Sequence, residues 1–136
     1  MNNLLTGIYG KLTGSNFSSY VGGRVYLDRA PAGVEYPYCV FSIVSGNPDW
    51  TFKESFEDTY IQFSLFSASS SATEITTMYS YLKSLYDDCS MTITSNTLIW
   101  FRRQNLATMT EDITVGDATQ QVRHWAVDYH VMTQAN

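Results

Sequence analysis

Residues 24–44, Arg-Val-Tyr-Leu-Asp-Arg-Ala-Pro-Ala-Gly-Val-Glu-Tyr-Pro-Tyr-Cys-Val-Phe-Ser-Ile-Val, constrain the fold more tightly than any other stretch of the chain. Both ends are β-branched and aromatic, and the middle holds Pro31, Gly33 and Pro37. Each proline locks its own backbone and pushes the residue before it out of the helical region. The stretch therefore reads as a short strand over Arg24–Leu27, a stiff elbow, and a second strand from Tyr38 to Ser45. Val40, Phe41, Ile43 and Val44 are nearly continuous, which predicts a central strand covered on both faces. The elbow carries no constellation of catalytic groups.

The remaining elements follow from periodicity. Leu4, Leu5, Ile8 and Leu12 share one stripe and predict a helix over residues 3–13, with Asn2 or Asn3 as its cap and Gly14 at its C-terminal end. Residues 15–23, rich in Ser, Asn and Gly, read as a loop. Residues 46–55 read as a long hairpin tip, because Gly46, Asn47 and Pro48 are turn residues. From about Phe56 to Ser67, Ile61, Phe63 and Leu65 fall on one face of a half-buried strand. Ile75, Met78, Leu82 and Leu85 predict a helix over residues 70–88, opened by a Ser71–Glu74 capping box. Its Met and Tyr side chains read as core. A strand over Leu98–Glu111, an acidic loop over residues 112–119 and a strand over Gln120–Thr133 complete the chain. In the last strand Arg123, Trp125, Val127, Tyr129 and Val131 alternate with Val122, His124, Ala126, Asp128 and His130. The expected fold class is α+β, a mainly antiparallel sheet with two helices packed on one face, in a single domain over residues 1–136.

Composition narrows the function. With 136 residues the chain can bury a core without staples. Hydrophobic residues make up 44% and charged residues only 15%, leaving Ser, Thr, Asn and 10 Tyr for much of the surface, a balance suited to contact between subunits. The net charge of −5 and the separation of Arg102 and Arg103 onto opposite faces of a strand argue against tight nucleic-acid binding. Cys39 and Cys89 form no metal or redox motif and read as packed free thiols. The N-terminus lacks the pattern of a signal peptide, and no run approaches a membrane span, so the chain reads as made in a reducing cytoplasm, with no membrane partner.

The chemistry-bearing residues do not assemble into a catalytic pattern. His130 and Asp128 could share a metal on one strand face, whereas His124 lies roughly 20 Å from His130; a polar contact face is the preferred reading. No Gly-x-Ser-x-Gly elbow is present. Asp87 and Asp88 would raise the pKa of Cys89 and dull it as a nucleophile. The carboxylate pairs Glu57–Asp58, Asp87–Asp88 and Glu111–Asp112 read as solvated ends of elements, and Gly22–Gly23 lacks the lysine of a phosphate loop. No enzymatic activity and no cofactor are expected.

Taken in order, these features resemble a known family. The features are an amphipathic helix, then Tyr-Val-Gly-Gly-Arg-Val-Tyr, the Ala-Pro elbow and the Pro-Tyr-Cys-Val-Phe strand entry. A polar strand ending Ser-Leu-Phe-Ser follows, then a helix with Leu82 and Leu85 and an acidic loop before a Trp- and Tyr-rich strand. The chain resembles the tail-completion, tail-terminator or head-to-tail joining proteins of long-tailed bacteriophages. The resemblance implies a structural role in the virion at the tail–head junction: a homo-oligomeric ring, commonly of six copies, that caps the tail tube and docks it to the head. The implied partners are the chain itself, the major tail-tube protein and head–tail connector proteins, with DNA only passing through the channel. In such a ring Pro31, Pro37, Trp50, Phe52 and Lys53 are the candidate interface residues, the prolines because a stiff elbow docks with little entropy loss. Glu111, Asp112 and Asp117 are the candidate channel or rim residues, where like charge would keep DNA phosphates sliding. A head-side adaptor, or a small-molecule-binding α+β module, stands as the alternative.

Overall fold

The computed structural model describes residues 2–50, 55–115 and 118–135, and within these the side chains of residues 3–46, 56–114 and 119–135. The chain runs α1 (Asn2–Leu12), α2 (Asn16–Tyr20), β1 (Val25–Leu27), β2 (Tyr38–Trp50), β3 (Ser55–Ser67), α3 (Thr73–Tyr86), β4 (Thr92–Ile93), β5 (Asn96–Val115) and β6 (Ala118–Ala135). One 6-stranded sheet has the order β1-β2-β3-β6-β5-β4. All neighbouring strands are antiparallel except β1 and β2, which are parallel. The sheet is thus mixed rather than wholly antiparallel, because the elbow is long enough to carry the chain back to the starting end of β1 before β2 begins.

Alternation sorts each strand into two faces. On one face Cys39 and Phe41 of β2, Ile61, Phe63 and Leu65 of β3, Phe101 of β5, and Val127, Tyr129 and Val131 of β6 are fully buried. They pack in one cluster with Leu4, Ile8 and Leu12 of α1, Phe17 of α2, and Ile75, Met78, Leu82 and Tyr86 of α3. Rings fill its centre: Phe63 stacks on Tyr86 at 4.9 Å and on Phe41 at 5.7 Å, and Tyr86 stacks on Phe101 at 5.1 Å. Each such side chain contributes about 1.5–3 kcal/mol by leaving water. The Tyr86 hydroxyl donates to the Ile8 carbonyl at 2.9 Å, so the phenol that packs α3 also ties it to α1.

Several expectations need correction. The segment read as a loop over residues 15–23 contains α2, capped by Ser15, whose Oγ accepts from the Ser18 N–H at 3.1 Å. Five residues are too few to display a period, and burial of Phe17 and Val21 supplies what the sequence pattern lacks. Asn3 does not cap α1; its Nδ2 donates to the Thr94 carbonyl at 2.9 Å. Gly14 does close α1, at φ 75. The Ser71–Glu74 box does not form. Ser71 Oγ accepts from the Thr73 N–H, while Glu74 accepts the Ser67 hydroxyl at 2.7 Å, so a strand residue outcompetes the helix backbone for its carboxylate.

The strands are also longer than periodicity implies. Residues 46–50, read as hairpin tip, continue the ladder from Gly46↔Thr59 to Trp50↔Ser55. β1 accompanies β2 only at Cys39, Val40 and Phe41, so Gly46 and Pro48 lie on an edge, where a missing side chain or N–H is tolerated. Val44 is the extra residue of a bulge between Ile43 and Ser45 and is 60% exposed, so β2 is not covered on both faces. In the expected acidic loop over residues 112–119, residues 112–115 and 118–119 are ladder as well, with Asp112 opposite Gln121 and Val115 opposite Ala118, and residues 116–117 lie outside the described residues.

Candidate interaction surfaces

Among the described residues the other face of the sheet has no helix on it. Val44 and Ser45 of β2 and Gln104 and Asn105 of β5 are separated by two strands, yet they line one hollow of about 330 Å³. The sheet is therefore curled towards this face. Two aromatic rungs cross it. At one end Tyr38 stacks on Phe66 at 4.7 Å, Phe66 stacks on His124 at 4.3 Å, and Tyr36 extends the row. At the other, Tyr60 stacks on His130 at 4.8 Å, Trp100 meets the same imidazole edge-on, and the Arg102 guanidinium lies 4.5 Å from the Trp100 ring. Ser42, Ser64, Gln62 and Asp128 lie between the rungs. Gln62 Nε2 donates to Asp128 Oδ1 at 3.0 Å.

The second rung fixes its histidine. Trp100 Nε1–H donates to His130 Nδ1 at 3.2 Å, so that nitrogen is the acceptor and Nε2 donates to Asp58 Oδ1 at 2.8 Å. The two residues weighed as a metal pair have separate partners: His130 bonds Trp100 and Asp58, while Asp128 bonds Gln62. Among the described residues no group of three His, Cys, Asp or Glu is placed to hold a metal. Burial raises the pKa of both thiols; for Cys89 the neighbouring acids add the smallest contributions, so the expected direction holds for a different principal reason.

The elbow arches over the Tyr38–Phe66 end of this face and encloses an open groove of about 660 Å³ with it. Arg24 anchors the elbow by donating from Nε to the Pro37 carbonyl at 3.0 Å. A Cβ at Gly22 would stand 2.8 Å from Arg24 Nη1, and Gly22 has φ 62, so any other residue there would be strained and would displace the tip of the anchor. Pro31 is exposed on the elbow, and Pro37 is half-buried at its foot. Of the other candidate contact residues, Trp50 closes the β2–β3 ladder by its backbone; its side chain, with Phe52 and Lys53, lies outside the described residues.

The β5–β6 hairpin outruns the sheet. β3 accompanies β6 only as far as Ser67↔Arg123, so residues 111–115 and 118–122 form a two-stranded ribbon without a third strand. Glu111 and Asp112 are exposed on it, not in a loop; Asp117 lies outside the described residues. Glu111 Oε1 reaches to 3.6 Å from His124 Nδ1.

Sequence reasoning missed the two rungs. The alternation placing His124 and His130 on one face was visible, but which ring of β3 stands beside which of β6 depends on register between segments more than fifty residues apart. The chain is similar to a solved structure from the virion of a native gene transfer agent particle, at TM-score 0.71 and 10% identity, covering 96% of this chain and 93% of the other. At that identity the likeness establishes the fold. No curated protein matches it in sequence. The family model described as tail completion protein gp17 matches residues 6–134. Beside the bare, curled aromatic face and the overhanging ribbon stands the family match, and the chain belongs to the tail completion protein gp17 family, a structural tail component of a phage-like virion.

Proposed function

We propose that this protein forms a ring, of six copies, at the tail–head junction, where it terminates the tail tube and joins it to the head, with DNA passing through the ring. The observation that carries this reading is the sheet face left without a helix. A monomer has no use for two stacked aromatic rungs and a stiff elbow on a concave surface, whereas a subunit that seats neighbours loses little entropy in docking them there. The major tail-tube protein and the head–tail connector proteins are the partners this role requires. The ribbon bearing Glu111 and Asp112 is assigned to the rim or channel, where carboxylates repel the phosphate backbone and keep DNA from sticking.

The test is assembly without the protein. Particles lacking it are expected to carry tubes of irregular length and unattached heads in electron micrographs, and purified protein should restore joining. Tubes of normal length joined to heads in its absence would overturn the proposal. Capture of the portal assembly, with no binding to tube ends, would move the protein to the head side as an adaptor.

A further inference from the structure

We propose that successive copies join edge to edge, the open half of β5 in one copy pairing antiparallel with β1 of the next, so that the sheet continues from subunit to subunit. The inference rests on the ring reading and specifies its interface.

Exposed strand edges are normally blunted by bulges, prolines or charges. β2 beyond Ile43 is blunted in this way, by the bulge at Val44 and by Pro48. The first half of β5 has register shifts between Leu98 and Trp100 and between Arg103 and Asn105, and it carries Arg102 and Arg103. From Asn105 to Thr110 there is no bulge, proline or charge, and β4 accompanies β5 only at Asn96 and Thr97. This half-strand is an unguarded edge.

Its hydrogen-bonding phase follows from the register. The Phe101 carbonyl accepts from the Asp88 N–H at 2.9 Å, so Phe101 and Arg103, opposite Val131 and Tyr129, turn their backbone away from β6. Beyond the shift the residues opposite odd-numbered β6 positions are Leu106, Thr108 and Thr110, and these turn outward. On the opposite edge of the sheet, Arg24 and Asp28 bond towards β2, through Cys39 N–H to the Arg24 carbonyl and Asp28 N–H to the Phe41 carbonyl. Val25 and Leu27 therefore turn outward. Local bonds occupy the Val25 N–H and the Leu27 carbonyl; no backbone partner among the described residues takes the Val25 carbonyl or the Leu27 N–H, which are left for a neighbouring copy.

The two edges match in height and phase, and in charge at the Arg24 end. Across the sheet Val25 stands level with Cys39, Leu65, Trp125 and Thr108, and Leu27 stands level with Phe41, Phe63, Val127 and Leu106. Side-by-side copies at one level thus bring outward Thr108 against outward Val25, and outward Leu106 against outward Leu27. Strand directions across the sheet make this contact antiparallel. It also sets Arg24 of the next copy opposite Met109 and diagonal to Glu111, within reach of a long side chain. Residues 104–122 contain Glu111, Asp112 and Asp117 and no Lys or Arg, while β1 is preceded by Arg24 and followed by Asp28 and Arg29, so the charge complementarity lies at the Arg24 end of the contact. Because the two edges lie on opposite sides of one sheet, the contact is head-to-tail, the kind that closes a ring.

Tyr26 and Ala107 form the non-hydrogen-bonded pair of this joint, where antiparallel Cα atoms are near enough for a disulfide. The full-length chain with Tyr26→Cys and Ala107→Cys, oxidised after assembly, should give a ladder of covalent multimers that neither single variant gives. Thr108→Pro removes an N–H used only between copies and should weaken association by about tenfold or more while leaving the circular dichroism spectrum unchanged. Rings that form without the 26–107 cross-link and tolerate Thr108→Pro overturn the pairing and leave the ring standing. A chain that stays single at every concentration and on tails, and gives no cross-link, overturns both.

Discussion

The two faces of the central sheet are built from the same strands, one residue apart, and differ in what closes over them. Phe63 and Phe66 lie on one strand, three residues apart and on opposite faces. Phe63 is fully buried among Phe41, Tyr86 and Tyr129. Phe66 is half-buried between Tyr38 and His124, with no helix above it. The helix-covered face buries its rings between two layers of the chain; the bare face holds equally large rings with a single layer beneath them. The difference teaches that ring content alone does not mark a core: what matters is whether a second layer of the same chain covers the rings.

The contrast can be broken most directly at Phe63. Phe63→Ala should cost about 3–5 kcal/mol, because it opens a cavity among rings that cannot collapse into it. Urea unfolding would read this as a lowered midpoint at unchanged slope; a loss under about 1 kcal/mol would show that the helix-covered face is not where stability resides.

A titration sharpens the contrast by a smaller amount. Burial holds the Cys39, Tyr86 and Tyr129 protons more tightly in the folded chain, and for Tyr129 the hydroxyl's 2.7 Å bond to Asp87 adds to the effect. All three folded-state pKa values are raised, so the stability they support is complete below the unfolded values, about 8.5 for a thiol and about 10 for a phenol. It is lost as pH rises beyond them, at about 1.4 kcal/mol per pH unit for each group. Urea midpoints should therefore fall steeply from about pH 9 to 11. A flat profile over that range would mean that these groups are not sealed by the helices.

The smallest effect on stability is expected at the bare face. Phe66→Ala should cost about 1 kcal/mol, since the ring loses two stacked partners but opens no closed cavity. Its effect on association should be larger than its effect on folding, read as a shift in the concentration at which multimers form by sedimentation. Unchanged association with a large loss of stability would reverse the assignment of the two faces.

Local pattern made much of this legible. The stripe Ile75, Met78 and Leu82, the alternation Val127, Tyr129 and Val131, and the glycine after α1 each mark their element, because helix and strand periods are written in neighbouring residues. The separation of Arg102 from Arg103 also held, one over Trp100 and the other reaching Asp87. Features resting on competition between partners were not legible. Glu74 could have served the helix cap, but Ser67 takes it. Gly46 and Pro48 carry turn chemistry, yet pairing with β3 and the openness of the edge decide for strand. The candidate contact residues divide likewise: Pro31 and Pro37 stand on the elbow as their chemistry requires, whereas Glu111 and Asp112 sit on a ribbon that only ladder length creates.

Residue order by itself determined the amphipathic stripes and the stiff elbow between β1 and β2, since these depend on covalent constraint and on spacing along a few turns or pleats. The tertiary structure alone decided that β1 runs parallel to β2, that Tyr38, Phe66 and His124 form one rung and Tyr60, His130 and Trp100 another, and that half of β5 remains an unguarded edge. Those outcomes are set by register and curl between distant segments, where many pairings compete and the whole buried face, rather than any local preference, selects among them.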